Sequence, residues 1–135
     1  MKKQHIEIKF VNNWLEGEIV ELYKTGGWWK DSYDPSGIKP LIEGSFAFAV
    51  AVKKDTGKAI GMGRVISDGV SDAYIQDLVV LPEYRGHGVG KKLVNALLEY
   101  CLSKKLLWIS LIAEPEQDKF YLSLGFKHMK NYAPM

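Results

Sequence analysis

Three alternating glycines stand beside a cluster of basic side chains in the middle of the chain. Gly86, Gly88 and Gly90 let the backbone adopt positive φ angles and let its N–H groups approach a ligand without a Cβ in the way. If a helix begins here, the N–H groups of its first turn have no intrahelical partner and attract anions. Basic residues at a helix start cost about 0.3–1 kcal/mol per charge, which a bound anion would offset. They are Arg85, His87, Lys91 and Lys92. The pattern predicts an anion-binding turn.

Two common nucleotide-binding motifs do not match this turn. A P-loop places four residues between its glycines and follows them with Lys and Ser or Thr, whereas Gly86 and Gly90 enclose three residues and precede two lysines. A dinucleotide fingerprint read from Gly88 would need glycine or alanine at Leu93, and one read from Gly86 fails at Lys91. The alternative to an anion site is a tight strand-to-helix connection whose basic side chains are only solvated. Three glycines and four basic groups are more than such a connection requires.

The segment before the turn has the composition of a buried strand that is interrupted once. It runs from Tyr74 to Leu81 and stops at Pro82. Ile75 and Leu78 cannot share a face in a regular strand, because side chains alternate with a period of two. A β-bulge near residues 76–77 would reconcile the pattern.

The run Arg85-Gly86-His87-Gly88-Val89-Gly90, after the strand residues 78–80 and Pro82, resembles the turn of the GCN5-related N-acetyltransferases, the GNAT superfamily. The resemblance implies that loop amides bind the pyrophosphate of acetyl-CoA and that the strand's main chain holds the pantetheine arm. It also implies that this strand is bulged and splayed from the next, which opens a slot for the thioester. The implied coenzyme-binding residues are Leu78, Val79, Val80, Arg85, Gly86, His87, Gly88, Val89, Gly90 and Lys91.

A second segment, Phe120–Phe126, is similar to the family pattern Phe-Tyr-x-x-x-Gly-Phe. In the family this tyrosine often points at the coenzyme sulfur, so the resemblance implies that Tyr121 protonates the leaving thiolate. A phenol with a pKa near ~10 can donate to a thiolate whose thiol has a pKa near ~8.5, provided that the two are within hydrogen-bond reach. The alternative is an aromatic side chain packed on the core.

The acceptor amine must lose a proton before it can attack, and Asp77 is the leading candidate for the base. Asp77 directly precedes Leu78 on the coenzyme-binding strand, where burial would make a carboxylate a better base. A carboxylate bonded to backbone at the bulge is an equally good interpretation of Asp77. The rival carboxylates are Asp68, Glu83 and Glu114.

The resemblance to GNAT-like folds implies that the aromatic stretch after the predicted first helix forms part of the acceptor side. Trp28 and Trp29 are adjacent, so they cannot both face the same way, and either one alone could simply fill the core. The resemblance favours an acceptor pocket, and nearby Asp31 and Asp34 would suit a cationic amine.

Length and composition predict one ordinary globular domain over residues 1–135. With 135 residues, 47% hydrophobic residues and a net charge of +2, the chain is too weakly basic to predict nucleic-acid binding. Neither a signal peptide nor an apolar run of membrane-spanning length is evident, so we expect a cytoplasmic protein that does not bind membranes. The single cysteine, Cys101, falls on an apolar helix face and is interpreted as core, and no metal site is predicted. A homodimer is one assembly that the sequence allows.

The resemblance and the hydrophobic patterns together predict an α/β (α+β) GNAT fold. We expect a mixed central sheet of about six to seven strands flanked by helices, in the order β-α-α-β-β-β-α-β-α-β. The strands are expected at residues 5–10, 46–52, 59–67, 74–81, 106–112 and 126–132. The helices are expected at residues 14–24 after a cap at Asn12 or Asn13, and at 36–43, 89–102 and 115–123.

The predicted function is direct transfer of an acetyl group from acetyl-CoA to a primary amine of a small molecule or peptide. Strand N–H groups would stabilise the oxyanion. The alternative from another class is a non-catalytic module that binds or senses acyl-CoA. A nucleic-acid binder is a weaker alternative, because the basic cluster is small.

Overall fold

The computed structural model describes residues 5–135, which form one mixed β-sheet covered by helices. The sheet has five strands in the spatial order β1-β2-β3-β4-β5, antiparallel except for the parallel pair β4 and β5. The strands are β1 (Ile6–Phe10), β2 (Ala47–Lys53), β3 (Lys58–Ser67), β4 (Asp72–Val80) and β5 (Trp108–Ser110). The helices are α1 (Glu16–Thr25), α2 (Ile38–Gly44), α3 (Val89–Ser103) and α4 (Asp118–Ser123). Among residues 5–135, no helix is both long and apolar enough to cross a membrane.

Strand β4 carries the predicted β-bulge. Its register with β3 shifts between Met62 and Arg64, so that Asp77 and Leu78 lie opposite a single residue of β3. Asp77 has a φ of 60°, a left-handed conformation that is rare for a residue with a side chain. The expected bulge near residues 76–77 is therefore confirmed, and it redirects the second half of the strand.

Strands β4 and β5 pair over only three residues and then separate. The last pair is Tyr74 with Ser110, whereas β4 continues to Val80. The chain from β4 to β5 passes through α3, as a parallel crossover requires. The separation leaves one edge of β4 unpaired with β5 over residues 75–80.

Helices α1 and α3 cover opposite faces of the sheet. A Cβ built at Gly63 would lie 3.0 Å from the Leu97 side chain of α3, so this glycine lets the helix approach β3 closely. The next residue, Arg64, points to the other face, where it reaches the same carboxylate as Tyr23 of α1. The predicted apolar face of α3 is confirmed and fully buried; its residues are Leu93, Val94, Leu97 and Cys101.

The C-terminal third contains less regular structure than the sequence predicts. Strand β5 covers Trp108–Ser110 instead of residues 106–112, and α4 begins at Asp118 instead of residue 115. The strand predicted at residues 126–132 is absent, so the described sheet has five strands rather than six to seven. A strand needs a hydrogen-bonding neighbour, and no other strand pairs with this segment.

The first two helices also begin later than predicted. Helix α1 starts at Glu16 after Leu15, without a side-chain cap, so the cap expected at Asn12 or Asn13 is wrong. Leu15 is 66% exposed, so it lies outside the core that α1 covers. Before α2, the backbone N–H of Ser36 donates to Asp34 Oδ1 at 2.9 Å and starts a short 3₁₀ turn.

Candidate active site

The glycine-rich turn presents a continuous row of free backbone donors. Gly86 and Gly88 have φ angles of 81° and 80°, which only glycine adopts readily. The first backbone bond of the helix runs from the N–H of Lys92 to the carbonyl of Gly88 at 3.1 Å. The N–H groups of residues 86–91 make no hydrogen bond within the part of the chain that the structure describes. Six successive donors at the positive end of a 15-residue helix suit an anion.

The basic side chains of this turn are exposed around the donors. Lys91 and Lys92 lie in the first turn of α3, which has no acidic residue to offset them. Arg85 donates from Nε to the carbonyl of Val80 at 2.9 Å, which ties the turn to the end of β4. The ring of His87 contacts the carbonyl of Arg85 through Nδ1 at 2.9 Å. The sequence-predicted cluster is therefore brought together around one helix start.

A slot of about 300 Å³ lies where β4 and β5 separate. Because the N–H of Leu81 donates to Ile60 of β3, alternation along the strand directs the N–H groups of Leu78 and Val80 to the opposite edge. Of these two residues, Leu78 lines the slot. The slot is lined by residues of β4, of the chain after β5 and of α4, among them Leu78, Ile112, Glu114 and Tyr121.

Tyr121 is a half-buried phenol in this slot. Burial raises the pKa of Tyr121 above its ordinary value, and the negative charge of Glu114 raises it further. The phenol is therefore protonated over the physiological pH range and can act as a proton donor. Its ring packs edge-on against Phe120 and Phe126, with centroid distances of 5.0 and 5.7 Å.

A second cavity, of about 270 Å³, lies on the other side of the bulge. Its walls are largely aromatic, and its polar end is formed by residues of β3 and β4, namely Arg64, Gln76 and Asp77. The aromatic lining residues are Tyr23, Trp28, Trp29 and Tyr33. We refer to this space as the aromatic cavity.

Trp28 stands between the two spaces and lines both of them. Its indole Nε1 donates to Glu114 Oε1 at 3.1 Å, which joins the loop after α1 to the chain after β5. A Cβ at Gly26 would lie 2.5 Å from the indole, so glycine is required for this placement. The aromatic cavity and the slot therefore meet at Trp28, Gln76 and Asp77.

Asp77 is held by two donors at the same carboxylate oxygen. Arg64 donates from Nε to Oδ2 at 2.7 Å, and the hydroxyl of Tyr23 donates to Oδ2 at 2.7 Å. The side chains of Arg64 and Asp77 are each 17% exposed. Oδ1 receives no hydrogen bond from residues 5–135, and it is not fully buried, because none of their fully buried side-chain oxygens lacks a partner. Burial and the Asp77 charge raise the pKa of Tyr23, which is therefore a permanent donor.

Some predicted acceptor-side and base residues lie away from both cavities. Asp31 is exposed and lines neither of them. Asp68 caps the β3–β4 turn, where bonds from the N–H groups of Ser71 and Val70 lower the pKa of its carboxyl. Glu83 lies in the short turn after Leu81 and also lines neither cavity.

Sequence reasoning missed two residues of the site, Tyr23 and Arg64. Tyr23 is buried together with Ile19 and Leu22 on one face of α1, a position typical of a core residue that gives no sign of the hydroxyl contact. Arg64 is the one charged residue between Ala59 and Ile66 in a strand that is otherwise apolar or glycine. A lone arginine in such a strand requires an acidic partner, and this signal could have identified it.

A mixed sheet that opens between its parallel strands, beside a glycine-rich helix start, is the arrangement expected of a GNAT-type acetyltransferase. A family model described as "Acetyltransferase (GNAT) family" matches residues 9–126. The chain belongs to this family, and the resemblance noted in the sequence is confirmed.

Individual relatives agree with this assignment. The chain is 33% identical over 110 residues to an uncharacterized N-acetyltransferase, ycf52, of Pyropia yezoensis, which covers 81% of this chain and 63% of the relative. It therefore spans less than two thirds of that relative's length. A GNAT family acetyltransferase from Streptococcus pneumoniae superposes with a TM-score of 0.77 at 26% identity, covering 97% of this chain and 96% of the other.

A third protein shows the same fold with a ligand. The aminoglycoside N-acetyltransferase AAC(6')-Iy in complex with CoA superposes with a TM-score of 0.72 at 18% identity, covering 99% of this chain and 95% of the other. At this identity the likeness establishes the fold alone. The expected fold class is thus confirmed, whereas a single domain over residues 1–135 and a cytoplasmic location stay predictions.

Proposed function

We propose that this protein transfers an acetyl group from acetyl-CoA directly to a primary amine of a small molecule or peptide. The observation that carries the proposal is the row of free N–H groups at residues 86–91, in a turn that follows β4 and is tied to its end by the Arg85–Val80 hydrogen bond. The donors and the surrounding positive charges fit a diphosphate, and the slot fits an extended thiol-bearing arm. The coenzyme supplies an activated acyl thioester when it is bound.

The residues of the chain would bind and orient the two reactants. The turn from Arg85 to Lys91 holds the diphosphate, while the main chain of residues 78–80 lies along the arm. The N–H of Leu78, which lines the slot, would stabilise negative charge on a carbonyl oxygen, and the N–H of Val80 points to the same edge of β4. The acceptor occupies the aromatic cavity and presents its nitrogen near Trp28 and Asp77, where the two spaces meet.

Proton transfers are assigned to two side chains at this junction. Asp77 removes a proton from the amine through Oδ1, directly or through water, because Oδ2 is occupied by Arg64 and Tyr23. Tyr121 donates its hydroxyl proton to the departing sulfur. Glu114 is the second candidate for the base, since it lines the slot together with Tyr121 and is exposed to water.

Replacing Gly88 with Val tests the anion site. Gly88 has a φ of 80° and open space where a Cβ would stand, and Gly57 in the β2–β3 hairpin has a φ of 73° and is equally open. Gly57→Val therefore imposes a comparable backbone strain outside the glycine-rich turn. We expect Gly88→Val, and not Gly57→Val, to weaken acetyl-CoA binding in calorimetric titration by about tenfold or more, the cost of losing about one charge-assisted hydrogen bond. Equal affinities in the two variants would mean that the coenzyme lies elsewhere.

Replacing Tyr121 with Phe distinguishes an enzyme from a sensor. The substitution removes one hydroxyl from the slot, so we expect turnover to fall by about 100-fold while coenzyme affinity stays close to that of the wild type. The assay is release of free thiol from acetyl-CoA across a panel of amines. Binding of acetyl-CoA without acetylation of any amine by the wild type would favour the non-catalytic alternative.

A further inference from the structure

A polar network crosses from β3 to β4 at the bulge, directly between the aromatic cavity and the slot. Arg64 donates from Nε to Asp77 Oδ2 at 2.7 Å and from Nη2 to Gln76 Oε1 at 3.1 Å. Its Nη1 lies 3.5 Å from Ser45 Oγ at the end of α2. One guanidinium therefore holds the two consecutive residues at which β4 leaves its regular register.

The conformation at the bulge needs such external support. Asp77 has a φ of 60°, and a residue with a side chain keeps this conformation only where its surroundings fix it. The hydroxyl of Tyr23 supplies a second contact, at 2.7 Å, to the oxygen that Arg64 binds. Both donors are themselves anchored, since Tyr23 is 6% exposed and the Arg64 side chain 17% exposed.

The backbone conformation at the bulge sets the position of the β4 edge that follows it. Residues 78–80 follow Asp77 directly, and over these residues β4 is no longer paired with β5. A change in the backbone angles at Asp77 would therefore rotate or shift the N–H groups of Leu78 and Val80. A planar guanidinium can contact Asp77 and Gln76 at the same time, which a lysine ammonium cannot reproduce.

We propose that Arg64 is a positioning residue that acts through Asp77 and Gln76 to hold the β4 edge in the orientation that accepts the acyl arm. Tyr23 assists it from α1. This inference rests on the proposed function, because it takes the slot to be the site of the acyl arm. It assigns Arg64 no contact with the coenzyme.

The test compares acetyl-CoA with ADP, which carries a diphosphate without the thiol-bearing arm. Arg64→Met should weaken acetyl-CoA binding by about tenfold, corresponding to about one misplaced hydrogen bond, and leave ADP binding unchanged. Arg64→Lys should weaken acetyl-CoA binding as Arg64→Met does, because lysine keeps the positive charge but loses the planar guanidinium that contacts Asp77 and Gln76 together. A merely structural ion pair would lower stability and leave the ratio of the two affinities unchanged.

A matched control removes another side-chain contact of β3. Lys58→Met deletes the Lys58–Glu21 ion pair of 3.2 Å, which joins β3 to α1 away from the bulge. We expect this variant to keep both affinities. Tyr23→Phe removes a single hydroxyl and should lower the ratio of acetyl-CoA affinity to ADP affinity, as Arg64→Met does, but by a smaller factor. If Arg64→Met does not fold, Tyr23→Phe provides the test instead.

Amide hydrogen exchange gives a second readout that needs no ligand. Exchange at Leu81, whose N–H donates to Ile60 of β3 just beyond the bulge, should become faster in Arg64→Met and Tyr23→Phe, and remain as in the wild type in Lys58→Met. If the wild type binds neither acetyl-CoA nor ADP, the proposed function fails and the positioning role fails with it. If the wild type binds both and folded Arg64→Met keeps the wild-type ratio of affinities, only the positioning role is overturned.

Discussion

The ionisation of Tyr121 depends on one neighbouring carboxylate that can be removed. Burial is the larger cause of its raised pKa and the charge of Glu114 is the smaller one. Glu114→Gln should therefore lower the pKa of Tyr121 but leave it above the ordinary value, because the burial remains. An alkaline loss of activity caused by Tyr121 ionisation would move to lower pH in this variant.

Ultraviolet difference titration can measure this shift, with Tyr121→Phe identifying the contribution of Tyr121. Asp118→Asn serves as the control, since it removes a carboxylate of α4 that pairs with His128 at 3.6 Å and is not a cause of the shift. An unchanged Tyr121 titration in Glu114→Gln would show that the two groups are not coupled.

The two candidate bases can be separated by their effects on turnover. Asp77→Asn keeps the shape of the side chain, so we expect it to lower the rate of acetyl transfer by about 100-fold or more if Asp77 accepts the proton. Glu114→Gln should then cost much less. The measurement is single-turnover acetylation of the best amine in the panel, at several pH values. A larger loss in Glu114→Gln than in Asp77→Asn would assign the base to Glu114.

At the scale of the element, helix α3 carries positive charge at the end where a helix favours negative charge. Lys91→Glu changes two units of charge, so it should stabilise the ligand-free protein by about 0.6–2 kcal/mol, and it should weaken acetyl-CoA binding because the lysine charge that opposes the helix dipole also attracts the anion. These opposite effects distinguish a binding residue from a merely solvated lysine.

The other end of the same helix provides the control. Lys104 is the C-terminal cap of α3, where a positive charge is favourable. Lys104→Glu should therefore destabilise the protein and leave acetyl-CoA affinity unchanged. Chemical denaturation and calorimetric titration measure the two quantities. If Lys91→Glu destabilised the ligand-free protein, the proposed conflict at the helix start would be wrong.

Elements defined by local patterns were predicted well, whereas those that depend on distant partners were not. The bulge at Asp77 and the buried face of α3 follow from spacing within one segment. The absence of a strand at residues 126–132 depends on whether any other strand pairs with it, which its own alternation does not reveal. Similarly, the hydroxyl contact of Tyr23 became recognisable only when the fold brought that residue to the Asp77 carboxylate.

At the scale of the whole molecule, the site joins parts of the chain that are far apart in sequence. The hydrogen bond between Trp28 and Glu114 spans 86 residues, and that between Tyr23 and Asp77 spans 54. Both bonds lie where the aromatic cavity meets the slot. Loosening either one therefore affects both spaces, so acceptor preference and coenzyme binding should be measured together in every variant.

The charge balance of the aromatic cavity predicts which amines the protein prefers. Its single carboxylate, Asp77, is already paired with Arg64, so a second ammonium group on the acceptor would find no partner among the lining residues. Aromatic walls instead favour an apolar body. We expect 2-phenylethylamine to be acetylated with a kcat/KM at least about tenfold above that of spermidine.

Trp29→Ala should reduce this preference, whereas Trp108→Ala, at an exposed position on β5 outside both cavities, should not. Equal use of the two amines, or a preference for spermidine, would show that the internal ion pair does not govern acceptor choice.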